Sequence, residues 1–296
     1  MAKATANGIQ IEYDTFGRRG DDPLLLIVGL ACQLIHWDEA LCTELAGRGH
    51  YVIRFDNRDT GLSTKLEEGG IPDIGQILEA RMNGVEVTPP YTMEDMADDA
   101  VGLLDALDIE KAHICGISMG GMIAQTIALN HEQRLLSLIS IYSHTGNPEL
   151  PPPTQKAMEG LLTPPPLERE ANIAYTVEVW RTFSGTKFTL DEDWLRKTAA
   201  QAYDRAFYPE GVARQLAAAM AQKNRKRDLG SVRVPTLVIH GADDPLVPVE
   251  GGKDTAEAIP GAELIIINGM GHDLPHGGAW PQIVDAIANH TQKVSA

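Results

Sequence analysis

Along the chain, the first regular pattern of apolar and polar positions is an alternation. Ile9-Gln10-Ile11-Glu12-Tyr13 places an apolar residue at every second position after an Asn7-Gly8 turn, which predicts a half-exposed strand. Beyond it come short, mostly apolar runs: Leu24–Val28, Tyr51–Phe55, Ala112–Gly116, Leu135–Ile141, Thr236–Ile239 and Leu264–Ile267. Runs of this length predict strands covered on both faces. Helical spacing separates them. Met96, Ala100, Leu103, Leu104 and Leu107 form the apolar stripe of a helix over Met93–Leu107 with Thr92 as its N-cap. Met119–Leu129 and Pro281–Ala288 read as helices too. Strands alternating with helices predict an α/β fold, a mostly parallel central sheet with helices on both faces.

The alternation stops between about His144 and Asp228. This stretch opens with Pro148, Pro151-Pro152-Pro153 and Pro164-Pro165-Pro166, then turns amphipathic around Trp180, Phe183, Trp194, Tyr203, Phe207 and Tyr208. It has no clear buried strand and reads as an inserted helical cap. The predicted organisation is therefore a core in two parts, residues 1–144 and 229–296, with a cap over 145–228. A second irregular stretch, Lys65–Tyr91, interrupts the sheet pattern earlier and borders the same opening. The cap aromatics Trp180, Phe183, Trp194 and Phe207 are candidates for pocket lining, although a helical apolar stripe more often serves as core.

Composition narrows the class. With 296 residues the chain can bury about three quarters of its unfolded surface, so a full core needs neither disulfides nor metal. Hydrophobic content of 43% and charged content of 22% are ordinary for a globular protein. A net charge of −16 argues against a nucleic-acid partner and favours neutral or cationic small molecules over anionic ones. Cys32, Cys42 and Cys115 form no metal-binding or redox spacing, so buried, reduced thiols are expected. The N-terminal segment lacks the apolar core of a signal peptide, and the longest apolar run, Leu24–Cys32, is too short to span a bilayer. A cytoplasmic location with no membrane partner is the expectation.

One motif carries chemistry. Gly116-Ile117-Ser118-Met119-Gly120 sits between a buried run and a helix, the strand–turn–helix setting of a nucleophile elbow. The serine occupies the apex of a strained turn, so the positions two before and two after it must lack side chains where strand and helix meet. Phosphate binding by this loop would require a Gly-x-Gly-x-x-Gly spacing or a following Lys, neither of which is present.

A serine hydroxyl needs a base, and the base needs an orienting carboxylate, in the chain order Ser, Asp or Glu, His for this kind of sheet. The run Thr236–Ile239 leads through His240-Gly241-Ala242-Asp243-Asp244-Pro245, so Asp244 stands at the carboxyl end of a strand, with Asp243 as the turn residue beside it. His272 follows the last apolar run on a glycine-rich loop, Asn268-Gly269-Met270-Gly271-His272-Asp273. His276, its nearest competitor, opens the final helix. Two backbone N–H groups are expected to hold an oxyanion: Met119 after the nucleophile, and Leu30 after Val28-Gly29.

These residues resemble the α/β-hydrolase superfamily, and in particular aclacinomycin methylesterase-like serine esterases. The likeness lies in Phe55-Asp56-Asn57-Arg58-Asp59-Thr60-Gly61-Leu62-Ser63, Gly116–Gly121, Asp244-Pro245 and Gly269–Pro275. It implies a Ser118–Asp244–His272 triad, a helical cap over the pocket, and no metal or organic cofactor. The Asp56–Ser63 motif reads as a structural polar turn. The activity this implies is hydrolysis of small to medium, mainly neutral carboxylic esters through an acyl-enzyme. Lactonase, C–C hydrolase, perhydrolase and acyltransferase chemistry use the same triad, and a non-catalytic receptor of the same fold is the alternative of another class.

Overall fold

The computed structural model describes residues 1–276 and 278–295. Its centre is an eight-stranded sheet formed by β1 (Ala2–Ala6), β2 (Ile9–Phe16), β3 (Asp22–Ile27), β4 (His50–Phe55), β5 (Ala112–Ile117), β6 (Leu135–Ile141), β7 (Thr236–Gly241) and β8 (Glu263–Ile267). The spatial order is β1-β2-β4-β3-β5-β6-β7-β8. β1 and β2 run antiparallel to their neighbours; all pairings from β4 to β8 are parallel. β3, β5 and β7 are buried along most or all of their length, as their mostly apolar runs require.

Helices α1 (Glu39–Gly47), α3 (Met93–Ala106), α4 (Met119–Asn130), α9 (Glu250–Ala258) and α10 (Trp280–Ser295) cover the sheet. One core layer lies on each face. Leu25, Ile27, Ile53 and Ile114 pack with α3 and α4, while Leu24, Leu26, Val52 and Cys115 pack with α1 and α10. At α3 the predicted N-cap is present: Thr92 Oγ1 accepts from Asp95 N at 3.2 Å and Asp95 reaches back to Thr92 N at 2.8 Å.

Between β6 and β7 the chain runs through α5 (Gln155–Leu162), α6 (Arg169–Phe183), α7 (Glu192–Ala206) and α8 (Pro209–Ala221). Within the stretch 65–91, α2 (Ile74–Met82) packs on α8. β3 pairs with β4 on one side and β5 on the other, so the strand order reverses there. In open α/β sheets such a switch point opens a crevice at the carboxyl ends of the strands. Here that places the loop after β3 beside the turn after β5. Among the described residues no helix is long and apolar enough to cross a membrane.

Candidate active site

The turn after β5 brings a strand and a helix into direct contact. A Cβ on Gly116 would lie 2.0 Å from the Gly120 carbonyl oxygen, and one on Gly120 would lie 2.2 Å from that of Ile27. No side chain fits at either place. Ser118 between them takes φ 53°, ψ −120°, a region that costs a non-glycine residue of order 1–3 kcal/mol and marks a position held by its surroundings. Ser118 N donates to Ile141 O at 3.0 Å, which fixes the turn to the neighbouring strand.

The sequence-predicted partners converge on this serine. His272 Nε2 lies 2.9 Å from Ser118 Oγ, and His272 Nδ1 lies 2.7 Å from Asp244 Oδ2. Asp244 Oδ1 accepts the backbone N–H groups of Leu246 (2.9 Å) and Val247 (2.8 Å). Burial works against the charge on Asp244, yet His272, His240 and their hydrogen bonds outweigh it and hold the carboxyl down at about 2. The loop bearing His272 is pinned to the end of α6 by its own N–H donating to Phe183 O at 2.7 Å. The rivals lie elsewhere. Asp243 accepts from the Thr186 hydroxyl, and His276 is sandwiched between Trp194 and Trp280 with centroids 4.1 and 4.2 Å away.

Leu30 and Met119 both line the cavity over Ser118, and among the described residues neither N–H meets an acceptor. The cavity encloses about 230 Å³. A second compartment of about 250 Å³ adjoins it beneath α6 and α7, and both share Leu30, Cys32, Trp180 and Phe183 in their walls. Phe207 lines the second compartment, whereas Trp194 faces a smaller neighbouring pocket and donates to Asp38 at 2.6 Å. Cys32 departs from the expected buried thiol: it is half-buried at the junction of the compartments. Cys42 and Cys115 are buried. Among the described residues no group of three His, Cys, Asp or Glu side chains is arranged to hold a metal.

The model of the alpha/beta hydrolase fold family matches residues 22–279. The chain belongs to the α/β-hydrolase family. It is 29% identical to rhodomycin D methylesterase DauP of Streptomyces sp. (strain C5), with 97% of each chain covered. It is 34% identical to a 2-hydroxy-6-oxononadienedioate/2-hydroxy-6-oxononatrienedioate hydrolase of Cupriavidus pinatubonensis over 64% of this chain and 66% of that one. Among solved structures, a thermophilic esterase from Thermogutta terrifontis superposes with a TM-score of 0.72 at 26% identity, covering 100% of this chain and 99% of that one.

Within this α/β-hydrolase, the Asp56–Ser63 motif braces the loop after β3. Asp56 Oδ1 accepts from Leu34 N at 2.8 Å, and Asn57 Nδ2 donates to Val28 O at 3.2 Å. The same motif receives the inserted helices. Arg205 of α7 pairs with Asp56 at 2.7 Å, and Arg214 of α8 grips Asp59 through two bonds of 2.8 and 2.9 Å. Sequence reasoning missed Gln215. It is fully buried on α8, accepts from Ala31 N at 3.2 Å and donates to Arg58 O at 2.8 Å. Ala31 carries φ 63°, so the loop is held in a left-handed bend that its own residues disfavour. In the sequence Gln215 is one polar residue beside an alanine run, and nothing there marks it as buried.

Asp273 follows His272 and is 4% exposed, with Oδ1 unpartnered among the described residues. Burial raises its carboxyl to about 6; His272 opposes the rise and the Asp244 charge adds to it. A raised acid binds its proton more tightly folded than unfolded. Its contribution to stability is therefore present below the unfolded value near 4 and is lost as pH climbs through about 6. Asp273→Asn should thus gain on the wild type by on the order of 2 kcal/mol between pH 4 and pH 7. Denaturant melts of both proteins at the two pH values check this; a difference independent of pH would refute the buried-acid assignment.

Proposed function

We propose that the chain is a serine carboxylesterase that hydrolyses small to medium, mainly neutral esters, with Ser118, His272 and Asp244 as its triad. The observation that carries this reading is the unbroken hydrogen-bond relay from Asp244 through His272 to Ser118, on the floor of an apolar cavity. His272 takes the Ser118 proton as Oγ attacks the ester carbonyl. The N–H groups of Leu30 and Met119 hold the oxyanion, and His272 then protonates the leaving alcohol. Water repeats the sequence on the acyl-enzyme and frees the acid. Asp244 holds the imidazole with its proton on Nδ1 and steadies the imidazolium that forms.

Residues 145–228 act as a cap that shapes the pocket, and 1–144 with 229–296 form the catalytic core. The four helices between β6 and β7 and their Arg205 and Arg214 contacts support this division. The small-molecule ester approaches a chain of net charge −16, which supports a neutral substrate. The free cysteines Cys32, Cys42 and Cys115 support a cytoplasmic location.

Turnover of p-nitrophenyl butyrate, a γ-lactone and an aryl β-diketone under matched conditions tests the bond type. The ester is expected to lead. Turnover of the diketone or the lactone with no ester turnover would overturn the esterase reading in favour of C–C hydrolase or lactonase chemistry.

Holding the loop of Leu30 in place is assigned to Gln215. Gln215→Leu is expected to lower kcat about tenfold with KM changed little, since a displaced oxyanion donor is felt in the transition state more than in the ground state. A rise in KM alone would contradict this role.

A further inference from the structure

The cavity over Ser118 has a second polar feature that the relay does not use. Beside Met122, Leu216, Met220 and Val247, its wall includes His144 and Gln222. Each is oriented by a hydrogen bond whose direction admits one assignment. Gly146 N–H, which can only donate, lies 3.0 Å from His144 Nδ1. Nδ1 is therefore the bare nitrogen and the ring proton sits on Nε2. Burial first, then the Arg225 charge, push this imidazole down to about 4, so the ring is neutral at pH 7.

Arg225 Nη1, also only a donor, lies 2.7 Å from Gln222 Oε1. The amide oxygen is taken, and the Nε2 group is the free end. Among the described residues neither Nε2 meets an acceptor, and neither is a fully buried atom; both side chains are half-buried in the cavity wall. Each presents an unused donor.

Arg225 stands behind both. It is 6% exposed and donates only to neutral oxygens: Gln125 Oε1 at 3.2 Å, His144 O at 3.0 Å, Lys223 O at 3.5 Å, and Gln222. Among the described residues no carboxylate pairs with Arg225: Glu94 acts on it only through its charge, and Asp254 is engaged by Lys226, Thr145 and Asn147. A buried cation without a carboxylate partner leaves a positive field, and here it falls on two donors in the wall of the reacting cavity. An electron-rich oxygen is the group such a place stabilises.

We propose that His144 Nε2–H and Gln222 Nε2–H form an acceptor subsite for a second carbonyl-type oxygen of the substrate, remote from the scissile ester; this rests on reading the cavity as an ester-hydrolysing site. The natural substrate is then an ester with a keto or second ester carbonyl on the part of the molecule that lies against α8. A hydrocarbon chain there leaves both donors dry and unpaired.

The test uses the intact protein and p-nitrophenyl alkanoates of five to nine carbons, each paired with its keto analogues bearing the ketone at the interior positions from C4 to C7 that the chain has, and with the ω-carboxylate. One keto position is expected to raise kcat/KM five- to tenfold over its parent. His144→Phe and Gln222→Leu, made separately so that one misfolded variant does not decide the matter, are each expected to bring that ratio within twofold of unity. Gln222→Glu, which replaces a donor by an acceptor, should take it below unity. An ω-carboxylate outrunning every ketone would assign the same donors to an anion. If every keto-to-parent ratio in the wild type lies within twofold of unity while plain esters are cleaved, the subsite is wrong and the esterase reading stands. If no ester of either kind is cleaved, both fall.

Discussion

Replacing Ser118 with alanine is expected to lower kcat for ester hydrolysis by about 10⁵-fold or more, the scale on which serine hydrolases respond to loss of the nucleophile. The expectation follows from the division of labour in the cavity. Of the described side chains lining the cavity, Ser118 is the one whose hydroxyl is hydrogen-bonded to an imidazole, at 2.9 Å from His272 Nε2. The remaining cavity can bind an ester and polarise its carbonyl, but among its described residues no other hydroxyl or thiol is hydrogen-bonded to His272 to form the acyl-enzyme; Cys32 lies in the wall as a thiol without that contact. Folding should survive, because Ser118 N, not Oγ, makes the structural bond to Ile141 O. Steady-state rates with p-nitrophenyl butyrate, alongside a melting curve, check both halves. A variant retaining a tenth of wild-type activity would remove Ser118 from the mechanism.

The second large effect is expected at Asp244. In Asp244→Asn the backbone N–H groups of Leu246 and Val247, which face Oδ1 at 2.9 and 2.8 Å, hold the amide oxygen on their side. The amide NH₂ is then turned toward His272 Nδ1. A donor facing Nδ1 forces the ring proton onto Nε2, where Ser118 Oγ requires a bare nitrogen. A fall in kcat of about 10⁴-fold is expected, the size seen when a triad acid is made an amide elsewhere. KM should move far less. Presteady-state measurement locates the effect: acylation slows along with deacylation, since the same nitrogen serves both. A loss below about 30-fold would mean that another group orients His272, and His240, 3.5 Å from Asp244 Oδ2, is the neighbour to change next.

How much of this could be read from residues alone differs by element. The Ser118 turn was legible because strand, elbow and helix are contiguous in sequence and its glycines answer a steric demand. Asp244 and His272 were legible because each stands at the end of an apolar run in the expected order. β1 escaped notice, since Ala2–Ala6 contains no large apolar residue and only Ala6 is buried. The last helix was read as ending at Ala288, whereas it continues to Ser295. Buried polar residues interrupt its apolar stripe there: Thr291 packs inward because its Oγ1 meets His50 Nε2 at 2.7 Å.

Gln215, His144, Gln222 and Arg225 were unreadable for a different reason. Gln215 and Arg225 gain their meaning from partners remote in sequence, Ala31 and Arg58 for the first and Gln125 and His144 for the second, while His144 and Gln222 have local partners and gain theirs from a place in the cavity wall. On a helix face or a loop such residues look like ordinary solvated polar positions. The Asp56–Ser63 motif is the intermediate case. Its polar-turn character was evident, while its grip on the loop after β3 and on α7 and α8 required the assembled fold.

The most direct measurement for the central claim is covalent trapping. Incubation with a p-nitrophenyl alkylphosphonate should release close to one equivalent of p-nitrophenol per chain and abolish ester turnover in step with that release. Mass spectrometry should then find the phosphonyl group on the peptide containing Ser118, with no label on Ser118→Ala. Full esterase activity surviving the reagent, or inactivation with the label on a residue other than Ser118, would contradict it.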